Sequence, residues 1–385
     1  MKIVCQKEKL HRGLTVVGRA VATRSPLPIT GSVLLSAEES RLKLAATNLE
    51  IAITCYVNAK VEEEGAVAIP AKVFTDFVNL LPSEPIEISA SPEANIVELR
   101  CARYKAHING QNPEEFPPIP QIEEGVSVRV DPELLRQGIE QVIFAAATEE
   151  SRPVLTGAFL EVEGDTMNLV AADGFRLAVR TLPLSSPAPE SFGVIVPARS
   201  LNELQRLLRD EEEDVEIMVN PQRSQASFKL KEAEMVTQLI QGTYPNYKQL
   251  IPQTWNTKVI VNLKEFYQAI RSASIFAKDG GIIRLYITPG TEFGPGKITV
   301  SAHAEEIGDN TGEVEAIVEG EESKIAFNYQ YLLDVLSVLK EPQIILRIIT
   351  SSSPGVIAPL GKEDYIHIIM PMFVHWSRDE AGSGR

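Results

Sequence analysis

The chain has 385 residues, 37 Lys plus Arg against 52 Asp plus Glu, a formal net charge of −15 and 44% hydrophobic residues. That length exceeds one ordinary domain of roughly 100 to 200 residues, and the composition excludes a disordered or fibrous protein. The acidic total argues against a nucleic-acid partner only if the charge is evenly spread.

No run approaches the roughly 18 apolar residues of a membrane span, and Met1-Lys2-Ile3-Val4 lacks the apolar stretch of a secretory leader. Cys5, Cys55 and Cys101 are far apart and form no Cys-x-x-Cys pair. A reduced, cytoplasmic chain without a metal site is expected.

In chain order the predicted elements fall into three copies of one unit. Lys2-Ile3-Val4-Cys5 precedes a helical stripe of Leu10, Leu14, Val17 and Val21. Val128-Arg129-Val130 precedes Leu135, Ile139, Val142 and Ala146, and Val259-Ile260-Val261 precedes Phe266, Ile270, Ala273 and Ala277. The spacing i, i+4, i+7, i+11 puts each set on one helix face. Downstream, Leu42 to Asn48 corresponds to Met167 to Asp173, with Ile298 to Ala302 as the third strand of the set. Val67 to Ala71 corresponds to Val194 to Ala198, and Lys324 to Asn328 completes that set, each leading into a second helix. The offsets of 125 and 131 residues are too long for a solenoid and match whole domains. The expected fold is therefore α+β: three tandem domains, 1–122, 127–252 and 257–374, each with two helices against antiparallel sheets, then a tail, 375–385, expected to be disordered.

The six helical segments (7–24, 70–82, 132–147, 197–210, 263–278 and 329–340) carry +6 between them, which leaves −21 for the rest. A basic helical face on an acidic protein would attract a polyanion through its phosphates without reading sequence.

The residues also carry a resemblance. Arg24-Ser25-Pro26-Leu27-Pro28-Ile29, Arg152 to Gly157, Ala171 to Ala178, Val196 to Arg199, Tyr244-Pro245-Asn246-Tyr247, Tyr331 to Leu336 and Ile369 to Met372 recur in the order seen in the bacterial DNA polymerase III β subunit, the sliding-clamp family. The resemblance implies a ring-shaped homodimer that encircles duplex DNA and tethers the replicative polymerase, the clamp loader and repair proteins through short linear peptides. It implies a head-to-tail joint pairing Arg103, Lys105, Ala106 and Ile108 with Ile275 and Phe276. The implied peptide groove comprises Leu155, Ala172, Gly174, Phe175, Arg176, Leu177, Pro245, Leu250, Ile368, Met370, Pro371 and Met372, with Arg176 as a polar rim. Arg24, Lys72 and Arg199 fall at DNA-facing positions or helix starts, and Lys278 joins them on charge and helix placement. The chain departs from the common pattern at Ala106, Ala172, Phe175, Gln249, Phe373 and Val374.

No catalytic constellation is present: no Walker-type glycine loop, no His-Glu-x-x-His, no Gly-x-Ser-x-Gly. Asp173-Gly174 reads as a turn. A non-enzymatic clamp without a cofactor is expected, with a monomeric peptide-binding scaffold as the alternative.

Overall fold

The structure, a computed structural model, describes residues 1–24, 26–91, 95–277 and 280–376. The first repeat contains β1 (Lys2–Gln6), α1 (Lys7–Val17), β2 (Ser32–Glu38), β3 (Arg41–Thr47), β4 (Ile51–Glu63), β5 (Gly65–Pro70), α2 (Ala71–Leu80), β6 (Pro85–Ser91), β7 (Ile96–Cys101) and β8 (Tyr104–Asn109). The second contains β9 (Val126–Val130), α3 (Pro132–Val142), β10 (Gly157–Glu163), β11 (Thr166–Ala172), β12 (Arg176–Pro183), β13 (Phe192–Pro197), α4 (Ala198–Leu207), β14 (Val215–Val219), β15 (Gln225–Lys229) and β16 (Ala233–Gln238). The third contains β17 (Thr257–Asn262), α5 (Leu263–Ser274), β18 (Ile282–Thr288), β19 (Gly296–Ala304), β20 (Gly308–Gly320), β21 (Ser323–Asn328), α6 (Tyr329–Val338), β22 (Gln343–Ile348), β23 (Gly355–Pro359) and β24 (Tyr365–Ile369).

The strand order repeats with the sequence. The first repeat runs β5-β2-β3-β4-β1-β6-β7-β8, all antiparallel. The third runs β21-β18-β19-β20-β17-β22-β23-β24, the same path. Spatially the chain forms two compact units: Met1–Arg136 with Val162–Thr166 and Pro183–Gln241, and Gln137–Glu161 with Met167–Leu182 and Gly242–Arg385. The second repeat contributes to both. In the first unit β16 pairs with β4, placing Thr237 opposite Ile51. In the second, β24 pairs with β12, placing Ile369 opposite Arg176. Each joint between repeats is thus a continuous antiparallel sheet.

The helices form where stripe and cap agree. Leu10, Leu14 and Val17 of α1 and Phe266, Ile270 and Ala273 of α5 are buried. The Asn262 side chain accepts from the Lys264 and Glu265 amides at the start of α5, and Asn328 accepts from Gln330 at the start of α6. The helices are shorter than their stripes suggest. α1 ends at Val17 and tightens into a 3-10 turn over Gly18–Ala20, so Val21 lies beyond it. Likewise α3 ends at Val142 and α5 at Ser274, which leaves Ala146 and Ala277 outside the helices. Close helix-sheet approach uses glycine: a Cβ on Gly13 would sit 2.8 Å from Leu44 and Val57, and one on Gly138 2.8 Å from Leu169. Either glycine therefore lets the sheet lie against the first helix of its repeat.

Candidate functional site

All twelve residues of the expected peptide groove belong to the second unit. Leu155, Leu177 and Ile368 are buried, whereas Phe175, Leu250 and Met370 are exposed. The turn before β12 gives Phe175 its position. Gly174 adopts φ 95°, and the Asp173 carboxylate accepts from the Phe175 and Arg176 amides at 2.8 and 3.0 Å. The Met370 amide donates to the Phe175 carbonyl at 2.8 Å, so the chain end runs beside this turn. Opposite in sequence, Glu161 accepts from the Tyr247 hydroxyl at 2.6 Å and from Lys248 at 3.0 Å, tying down the 3-10 turn that presents Leu250.

Arg176 does not form a polar rim. Its side chain is only 10% exposed. It donates to Asp173 (3.0 Å), Asp334 of α6 (2.5 Å) and the Phe144 carbonyl (2.6 Å). Its guanidinium also lies 4.4 Å from the Tyr331 ring centroid. Each of the three guanidinium nitrogens donates to an internal partner, so Arg176 ties the second repeat to the third.

His367 of β24 is fully buried, 5.5 Å from the Phe144 ring, and neither ring nitrogen has a protein partner among the described residues. Burial, with the Arg176 charge nearby, holds its pKa down to about 3. The unfolded chain therefore takes up a proton near pH 6.5 that the folded chain refuses, and stability falls as pH drops from about 6.5 towards 3. We expect His367→Leu to remove about 2 kcal/mol of the stability loss between pH 7 and pH 5, read from urea unfolding at fixed protein concentration. An unchanged pH slope would contradict a neutral buried imidazole.

Among the expected phosphate contacts, Arg24, Lys72 and Arg199 are exposed, and none forms an ion pair among the described residues. Lys72 and Arg199 lie in the first turns of α2 and α4. Lys278 lies outside the described residues. The sequence reading did not select the cleft of about 520 Å³ where Lys7, Lys9, Arg12 and Arg19 approach Arg206. Arg19 and Arg206 share Glu203 of α4 at 3.5 and 2.9 Å, a second bond across a joint between repeats.

Of the expected joint residues, Arg103 is exposed in the turn before the edge strand β8, Lys105 is exposed on β8 and Ile108 is buried. Ala106 is half-buried. In the second unit Ile275 is 58% exposed and Phe276 half-buried, just after α5. Burial pushes the Glu98 carboxyl up, but hydrogen bonds from Arg100, Lys105 and His107 outweigh it and hold the pKa at about 2. One further surface was not picked out in the sequence, where 70–82 is marked only as a helical segment. Val73 and Leu80 are exposed and Phe77 half-buried, spaced i, i+4, i+7 on one face of α2.

Among the described residues no group of His, Cys, Asp or Glu is arranged to hold a metal, and no helix is long and apolar enough to cross a membrane. Cys5, Cys55 and Cys101 are free and buried.

Residues 1–120, 129–246 and 248–373 match in turn the N-terminal, central and C-terminal domains of the DNA polymerase III β subunit. The chain is 32% identical to the β sliding clamp of Bacillus subtilis, over 97% of this chain and 99% of that one. It is 30% identical to the β sliding clamp of Synechococcus elongatus over the same shares. The fold superposes on the crystal structure of the Bacillus subtilis DNA polymerase sliding clamp with a TM-score of 0.92, at 31% identity over 97% of this chain and all of that one. A Pseudomonas aeruginosa β subunit gives 0.91 at 27% identity, with the same coverage.

Proposed function

We propose, from the premise that the chain belongs to the DNA polymerase III β-subunit family and is a non-catalytic DNA sliding clamp, that two copies close head to tail around duplex DNA in the cytoplasm. The single observation that carries the head-to-tail reading is that both internal joints use one register. By repeat position β8, β16 and β24 are equivalent, as are β4, β12 and β20. β16 pairs with β4 and β24 with β12. This leaves β8 of the first unit and the 308–312 half of β20 of the second without their equivalent neighbours. Such edges invite pairing, and a second copy satisfies both at once.

The shared register sets Ile108 opposite the partner's Gly308, His107 opposite Asp309, and Ala106 opposite Asn310. The helices follow the same logic. Ile275 corresponds to Arg19 and Phe144, which lie at the two internal joints beside α4 and α6. Its counterpart across the third joint would be the exposed face of α2, Val73 and Phe77. An apolar helix contact would then flank a strand pair in which Arg103, Lys105 and His107 face Asp309 and Glu313.

We assign domain boundaries at 1–122, 127–252 and 257–374, and phosphate contacts to Arg24, Lys72, Arg199 and Lys278. On nicked circular DNA the protein should remain bound after loading and be lost when the DNA is linearised. Equal retention on both forms would mean surface binding without encirclement. Combining Arg24→Ala, Lys72→Ala and Arg199→Ala should reduce the salt dependence of binding by about 0.9 in log-log slope per contact removed. An unchanged slope would remove these residues from the DNA face.

The groove around Phe175, Leu250 and Met370, with the half-buried Met372 beside them in sequence, is assigned to peptides of the polymerase, clamp loader and repair proteins, since exposed apolar side chains suit short apolar anchors. Met372→Ala should weaken peptide binding by about tenfold while the sedimentation of the protein stays the same. Unaltered affinity would take Met372 out of the groove.

A further inference from the structure

We infer that Trp376 is a latch that fixes the chain end against β18 and β21 and so positions Phe373 as an apolar edge of the peptide groove, an inference that rests on the groove reading above. The first two repeats finish in a common way. After β8, the Gln111 amide donates to Ala68 of β5 at 2.8 Å, and Phe116 then joins Ile29, Ala68 and Leu34 in a buried cluster. After β16, the Ile240 amide donates to Ile195 of β13 at 2.9 Å. Four residues on, Tyr244 stacks on Phe159 of β10 at 5.1 Å.

The third repeat begins the same return, with the Met372 amide donating to Ala326 of β21 at 2.8 Å. The match to the family's C-terminal domain stops at residue 373. The closing aromatic therefore comes from the extension beyond it. Trp376 meets the Tyr286 ring edge-on at 5.3 Å and 80°, and the Lys324 ammonium lies 5.1 Å from the centre of its ring. Tyr286 and Lys324 are directly opposed on β18 and β21, so the indole seats on one cross-strand pair. The expectation of a disordered tail thus fails at its first residues, and 377–385 lie outside the described residues.

Two anchors four residues apart hold the segment between them. Phe373 lies in that span and is 90% exposed. Its neighbour Met370 is bonded to Phe175, itself an exposed aromatic. A large apolar side chain held out from a fixed backbone lowers the ordering cost of binding. Its chemistry fits a peptide carrying an aromatic anchor beside an aliphatic one, since rings pair favourably edge to face.

The test uses the full chain carrying Trp255→Phe, which leaves Trp376 as the single tryptophan of the two. Acrylamide quenching of Trp376 should increase at least about twofold on Tyr286→Ala or Lys324→Ala, as a seated ring with restricted access requires. A ring already fully quenchable, or indifferent to both changes, would overturn the latch. A fluorescein-labelled ten-residue peptide with one Leu and one Phe anchor then reads the groove. Trp376→Ala should weaken it roughly 3- to 10-fold, and Trp376→Phe should restore most of that loss. Tighter or unchanged binding with Trp376→Ala would overturn the positioning role, tighter binding marking the tail as a competitor. Met372→Ala separates the two readings: if it leaves peptide affinity intact the groove assignment fails, while the quenching arm still decides whether Trp376 is seated.

Discussion

Ile275→Asp is expected to abolish the proposed head-to-tail dimer of about twice 42.3 kDa and leave a monomer at micromolar concentration, by sedimentation equilibrium. Ile275 is exposed in the single chain, so the substitution removes no internal packing. In the ring it would bury a carboxylate against the apolar face of α2 at both joints. With a cost of about 3 kcal/mol per unpaired buried charge, two joints give about 6 kcal/mol, on the order of a 10⁴-fold loss of dimer affinity. Val73→Asp on the opposite face should act alike. The strand register is tested separately by Ala106→Cys with Asn310→Cys. Directly opposed residues lie about 4.5–5.5 Å apart between Cα atoms, within disulfide range, and should cross-link between protomers on mild oxidation. Ala106→Cys with Asp309→Cys, one residue out of register and on the other face, should not. The native cysteines are buried and do not compete. A dimer that survives Ile275→Asp, or cross-links in the slipped pairing, would rule out this joint.

The repeat, the six helices and the turn at Asp173-Gly174 were legible in the sequence, because local periodicity and turn chemistry encode them. The joints were not. Strand alternation says which face of β4 or β12 is buried but not that β16 or β24 continues each sheet, since that pairing joins residues far apart in sequence. The same limit hid the 308–312 half of β20, which in sequence is a polar run, Gly308-Asp309-Asn310-Thr311-Gly312. The exposed apolar face of α2 was not legible either, because a helical pattern shows a stripe but not which part of it lacks a cover. Arg176 was placed on a rim because an arginine among Leu and Met residues normally keeps its charge in water. Its burial depends on Asp334, 158 positions away, and no local signal announces that partner.

Arg176→Met should destabilise the second unit by about 3–5 kcal/mol, because it strands the Asp173 and Asp334 carboxylates and the Phe144 carbonyl without their shared donor. Arg176→Lys should recover little, since a single ammonium cannot reach three acceptors and stack on Tyr331 at once. Pairing Arg176→Met with Asp334→Asn relieves one stranded charge. The double variant should be more stable than the sum of the two single losses, with a coupling of about 1–3 kcal/mol in urea unfolding. A loss below about 1 kcal/mol for Arg176→Met, or simple additivity, would show that Arg176 is not the tie between the second and third repeats. Because the Asp173 turn positions Phe175, and Phe175 holds the chain end through Met370, the same substitution should also weaken peptide binding without any groove side chain being changed. The arginine that fastens two repeats also holds the Asp173 turn, so a peptide seated beside Phe175 as proposed would depend on the joint below it.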